Sequence, residues 1–67
     1  MLNKRREELK KFRILQKLTQ QEMADKLGIS LIQYQFIELG RRNPSFSLLV
    51  TFMKLFPKAN IIKIFFN

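Results

Sequence analysis

Apolar residues in residues 18–40, LTQQEMADKLGISLIQYQFIELG, recur at helical spacing in two short registers. Met23 and Leu27 are four apart, after a candidate cap at Thr19. Thr19 with Glu22 three residues on is a capping box, and Leu18 with Met23 stands at the positions of a hydrophobic staple. Leu27 is followed by Gly28, the residue type that adopts the left-handed conformation beyond a helix C-terminus at little cost. The signals then repeat at once. Ser30 caps, Gln33 reciprocates, Ile29 and Tyr34 form the staple, and Gly40 ends the second helix. Two capped helices with so short a link cannot lie antiparallel, so they must cross steeply.

Around this pair the pattern predicts three further elements. Residues 4–16 read as a first helix with Leu9 and Phe12 inward, while Ile14 and Leu15 have no obvious place in the core. RRNP at 41–44 reads as a loop, because Pro44 discourages a helical Asn43. Ser45 then caps a helix over 46–56, whose apolar residues outnumber one buried stripe, and Pro57 stops it. Asn60 can cap a short helix that returns Ile61, Ile64 and Phe65 to the core, although IIKIFF also has the composition of a β-strand. The expected fold is all-α: a compact bundle of four to five short helices in one domain, residues 1–67. Its core is expected to hold Leu9, Phe12, Leu18, Met23, Ala24 and Leu27 from the first half, and Ile29, Tyr34, Ile37, Leu49, Phe52 and Phe56 from the second.

The stretch 19–39 resembles the helix-turn-helix of the Cro/cI-like (XRE-like) transcriptional regulators. Ala24 is the small residue where the two helices touch, Gly28 takes the turn, and Met23, Leu27, Ile29, Tyr34 and Ile37 fill the apolar positions. The likeness extends through LKKFR (9–13) and GRRNPSFSLLVTFMKLF (40–56), and covers roughly residues 5–66. The family often ends in a short apolar helix near residues 60–66, which favours the helical reading there. The resemblance implies a lambda-repressor-like fold and binding to double-stranded DNA by the second helix of the pair. It assigns phosphate contacts to Thr19, Gln20, Arg41, Arg42 and Asn43, and base contacts to Leu31, Ile32, Gln33, Gln35 and Phe36. Gln suits adenine, whereas Leu, Ile and Phe can only meet a thymine methyl or pack. Arg13 and Glu38 match a structural ion pair between the first helix and the end of the recognition helix. Family members commonly bind as dimers, and the surplus apolar residues Met53, Leu55, Ile62 and Phe66 are candidates for a homodimer interface.

Charge points the same way. Thirteen basic against five acidic residues give +8 on 67 residues, which favours a polyanionic partner. The basic residues group at Lys4, Arg5, Arg6, Lys10, Lys11, Arg13 and Lys17, read as a first-helix face, and at Arg41–Arg42 after the recognition helix. The chain has no Cys, His or Trp, which excludes disulfides, Cys/His zinc sites and His- or Cys-dependent catalysis. The five acids form no catalytic pair: Glu22 serves a cap, and Glu7, Glu8 and Asp25 are expected on exposed helical positions. No enzyme activity, metal or cofactor is expected. No apolar run reaches spanning length and the N-terminus lacks a signal-peptide core, so no membrane partner and a cytoplasmic location are expected. No ligand-sensing domain is expected within the 67 residues. The reading is a DNA-binding regulator that represses. The alternative is an antitoxin-like or adaptor protein whose role is to bind a protein partner, suggested by apolar residues on the recognition helix and near the C-terminus.

Overall fold

Residues 4–66 are described by a computed structural model; residues 1–3 and 67 of the expected 1–67 domain lie outside the described residues. Five helices follow in order: α1 Glu7–Leu15, α2 Gln20–Leu27, α3 Leu31–Glu38, α4 Phe46–Leu55 and α5 Ile61–Phe66. Among the described residues there is no strand, so IIKIFF resolves as a helix. Asn60 Oδ1 accepts from the Lys63 N–H at 3.0 Å and starts it. Burial of the adjacent pair Ile64 and Phe65 explains the outcome, because a strand would send those two side chains to opposite faces.

The helix ends carry the local logic. α2 and α3 both begin with complete capping boxes, Thr19 with Glu22 and Ser30 with Gln33. The Ser45 hydroxyl accepts from the Leu48 N–H to start α4. α2 closes at Gly28 (φ 73°) and α3 at Gly40 (φ 78°). In each case the next N–H reaches back five residues: Ile29 to the Ala24 carbonyl at 3.1 Å, Arg41 to the Phe36 carbonyl at 2.9 Å. α1 ends in the same way without a glycine. Lys17 takes φ 60°, the Lys17 N–H donates to the Ile14 carbonyl, and the Leu18 N–H donates to the Arg13 carbonyl. A lysine pays about 1–2 kcal/mol for that conformation.

α1 is shorter than the 4–16 expected. Arg6 has non-helical dihedrals (φ −90°, ψ 76°), and its N–H donates to the Glu38 carbonyl at 2.9 Å, so the chain before Glu7 is drawn onto the end of α3. Lys4, Arg5 and Arg6 therefore precede the helix and Lys17 follows it. Glu8, expected exposed, is half-buried and within salt-bridge distance of Lys11 and of Lys63 on α5.

Leu9, Met23, Ala24, Tyr34 and Phe52 are fully enclosed, joined by Leu27, Ile37, Leu48, Ile64 and Phe65. Leu48 takes the central place expected for Leu49: α4 is turned so that Leu48 and Phe52, one turn apart, share the buried stripe, and Leu49 packs at its margin. Phe12, Leu18, Ile29 and Phe56 likewise line the core half-buried. Phe12, Phe52, Phe56 and Phe65 form a tilted and edge-on cluster with centroids 5.0–5.4 Å apart, which ties α1, α4 and α5 together. α2 packs on α3, and Ala24, with only a methyl side chain, is fully buried on α2. Ile14 and Leu15 point outward, 54% and 78% exposed.

Candidate nucleic-acid interface

The centre of the site is a buried acid. Glu38, at the last turn of α3, receives Arg13 Nε on Oε2 at 2.7 Å, the Tyr34 hydroxyl on the same oxygen, and Gln20 Nε2 on Oε1 at 3.1 Å. The Arg13–Glu38 pair expected from sequence is therefore formed, with side chains 11% and 6% exposed. Arg13 also donates from Nη1 to the Leu18 carbonyl, so one guanidinium joins α1, the turn before α2, and α3. Burial alone would raise the Glu38 carboxyl. The hydrogen bonds of Arg13, Tyr34 and Gln20, with the Arg13 charge, outweigh it and hold the group below the usual carboxylate range. The bond to Glu38 correspondingly raises Arg13 against the opposing effect of burial, and burial followed by that same carboxylate pushes the Tyr34 phenol up.

The network reaches the surface through amides. The Oε1 of Gln20, the first residue of α2, accepts from Gln35 Nε2 at 3.1 Å. Gln20 and Gln35 are both half-buried. The five residues Arg13, Gln20, Tyr34, Gln35 and Glu38 thus connect the core to an open cleft of about 360 Å³ lined by Gln20, Gln35, Phe36, Lys10 and Arg5.

At the start of α3, Gln33 Oε1 accepts from the Ser30 N–H at 3.0 Å, which leaves its amide NH₂ free. Ile32 and Phe36 are exposed and Leu31 half-exposed, so the five positions 31, 32, 33, 35 and 36 all retain solvent access. At the start of α2 the Thr19 hydroxyl accepts from the Glu22 N–H, and the Glu22 carboxylate accepts from the Thr19 N–H. That backbone bond holds the Glu22 carboxyl below its ordinary value.

Arg41 and Arg42 are exposed just past the Gly40 turn. Beside them Asn43 Oδ1 accepts from Arg6 Nη2 at 2.9 Å, so its NH₂ is the end left to meet an acceptor. Arg6 does more than sequence reasoning allowed. Besides Asn43, its guanidinium donates to the Ile37, Arg42 and Phe65 carbonyls. It clamps the end of α3, the basic loop and α5 together, and burial lowers its pKa. Its partners stand 31 to 59 residues away, so no local pattern announces the role. Tyr34 was legible as a core residue, but the bond from its hydroxyl to Glu38 was not.

Of the interface candidates, Met53 and Leu55 lie on the last turns of α4 and Ile62 and Phe66 on α5, all exposed. Phe46, at the start of α4, is more exposed still at 81% and was not among them.

Geometry and comparison agree on the class. A family model described as Helix-turn-helix matches residues 9–58, and this chain belongs to that family, of the XRE-like type. Over 44 residues it is 54% identical to the protein called "Uncharacterized HTH-type transcriptional regulator YqaE" of Bacillus subtilis (strain 168), a match that takes in 66% of this chain and 38% of that protein. The chain thus spans well under half the length of this relative. No solved structure matches it. No helix among the described residues is long and apolar enough to cross a membrane.

Proposed function

We propose that the chain is a double-stranded DNA-binding transcriptional regulator that represses by occupying a promoter. The observation that carries this reading is the pairing of an open α3 face with the exposed Arg41–Arg42 directly beyond it. In a helix-turn-helix that face enters the major groove and the following loop runs along the phosphates. Thr19, Gln20, Arg41, Arg42 and Asn43 are the phosphate contacts. Gln20 has its side chain engaged with Glu38 and Gln35, so its backbone N–H at the positive end of α2 is the group that meets a phosphate. Leu31, Ile32, Gln33, Gln35 and Phe36 face the bases, which favours sites rich in thymine methyls.

One such domain makes few base contacts, and the domain acts as a homodimer on half-sites about 34 Å apart. Exposed Met53, Leu55, Ile62 and Phe66 support an apolar interface. Residues 1–67 act as one domain in the cytoplasm, and repression is controlled by abundance or by a protein partner. The YqaE relative, named as a transcriptional regulator, supports the same class of activity.

The test is a salt titration of duplex binding. With about four to six phosphates neutralised per dimer, log K falls against log salt with a slope of about −4 to −5. Replacing Arg41 and Arg42 by Ala weakens binding to all sequences and flattens that slope. Normal binding by the double variant would misplace the DNA-facing surface and favour a protein-binding adaptor.

A further inference from the structure

We propose that Glu38, which lies in the core and touches no ligand, sets the base preference of the recognition helix by fixing which end of the Gln35 amide faces outward. The inference rests on the reading that α3 meets base edges. A glutamine amide is ambiguous: rotated by half a turn, it exchanges a hydrogen-bond acceptor for a donor. Here the ambiguity is removed by a chain of obligate polarities. An ionised carboxylate only accepts, so Gln20 must turn its NH₂ toward Glu38 Oε1. With its NH₂ end held at Glu38, Gln20 presents its Oε1 end to Gln35, and Gln35 answers with its NH₂. What Gln35 has left for a partner is Oε1, with one remaining N–H beside it. A side chain with its oxygen outward takes a base that carries an exocyclic amine: N6 of adenine, where the second N–H can also reach N7, or N4 of cytosine. Gln33, two residues earlier on α3, is fixed in the opposite sense. Its Oε1 is held by the Ser30 N–H and its NH₂ is outward, toward a purine N7 or a carbonyl oxygen.

The arrangement at Glu38 makes the polarity reversible by one atom. Among the described residues, Arg13 and Tyr34 both donate to Oε2, and Gln20 alone donates to Oε1. In Glu38→Gln the amide oxygen can keep Arg13 and Tyr34 while the new NH₂ replaces Oε1. Gln20 must then turn its oxygen inward and its NH₂ toward Gln35, whose oxygen becomes engaged and whose NH₂ turns outward. The contacted base then changes from an amine bearer to an acceptor, adenine to guanine or cytosine to thymine. Glu38 is a positioning residue, and a purely structural role would weaken binding to all sequences without exchanging the preferred base.

The experiment selects bound duplexes from a random pool with the wild-type chain and with Gln35→Ala. The position whose preference Gln35→Ala erases is the one Gln35 reads. If no position changes, α3 does not read bases through Gln35, and both the reading and the inference fall. At the position found, adenine is replaced by purine, or cytosine by 2-pyrimidinone, each of which lacks only the exocyclic amine. Wild-type affinity is expected to fall about tenfold. A loss below about twofold leaves DNA reading intact and overturns the polarity. Selection with Glu38→Gln is expected to exchange the preferred base at that position alone. Should this variant not fold, as judged by its circular dichroism, Gln20→Leu cuts the relay instead. The freed Gln35 amide then accepts both base classes, and the tenfold effect of removing the amine shrinks to about twofold or less. A Gln20→Leu variant that retains the full discrimination overturns the proposal.

Discussion

Removing Arg13 is the sharpest probe of how this domain holds together. In Arg13→Ala the Glu38 carboxylate, 6% exposed, keeps Tyr34 and Gln20 but loses the Arg13 counter-charge, 2.7 Å away. At an effective dielectric of about 20, charges some 4 Å apart attract by about 4 kcal/mol. Each ion has given up several kcal/mol of hydration to reach the site, so the intact pair is close to neutral in its net effect. Deleting one partner is different, because the other stays buried and uncompensated at a cost of about 3–5 kcal/mol. A chain of this size is stabilised by only about 3–10 kcal/mol, so Arg13→Ala should lose about a third or more of its stability at pH 7.5. The pH dependence should also change sign. In the wild type the folded Glu38 pKa lies below its unfolded value, so its contribution is present above the ordinary carboxylate range and is lost as pH falls through the folded value. In the variant, burial is opposed only by the hydrogen bonds of Tyr34 and Gln20, the carboxyl moves up, and stability rises as pH is lowered from 7.5 toward 5. Urea melts followed by circular dichroism at the two pH values measure both effects. Adding Glu38→Gln to Arg13→Ala should recover stability at pH 7.5 by removing the stranded charge. A loss below about 1 kcal/mol, the range of an exposed pair, or a further loss in the double variant, would refute the reasoning.

Two other changes test the framework. Ala24→Leu overfills the α2–α3 crossing, where Ala24 is fully enclosed, and should cost about 1–3 kcal/mol in a urea melt; an unchanged midpoint would mean the crossing is not close-packed. Lys17→Gly relieves the left-handed residue after α1 and should gain about 1 kcal/mol, read as a rise of about 4–8 °C in Tm, whereas a drop would show that Lys17 contributes more through its side chain than its backbone costs.

The helix-turn-helix was legible because its information is local. Thr19 with Glu22, Ser30 with Gln33, and the two glycines each act within six residues, and each was found where the spacing placed it. The Arg13–Glu38 pair came from family likeness rather than local pattern, and it is present. What stayed hidden depends on distance or on exception. Arg6 answers to Ile37, Arg42, Asn43 and Phe65, which only the finished fold assembles. The α1 terminus uses Lys17 where a glycine would have signalled it. Leu48 and Leu49 are neighbours of equal hydrophobicity, and the choice between them follows from how α4 is rotated on the Phe12–Phe52–Phe56 cluster. The residues assigned to DNA were placed by likeness, and the fold leaves them accessible without deciding their roles.

The capping box of α3 bears on how a domain of this kind can be retargeted to new sequences. Position 33 is at once part of the outward face and the fastening of the first turn, since Gln33 Oε1 holds the Ser30 N–H. Only Gln and Glu can keep that bond, and Glu would turn a negative charge toward DNA. Any other side chain loosens the helix that presents it. Ile32 and Phe36 carry no such duty, and their side chains stand free of the network. A library that diversifies the whole face would therefore yield well-folded variants unevenly, with new preferences arising first where the helix is not holding itself together.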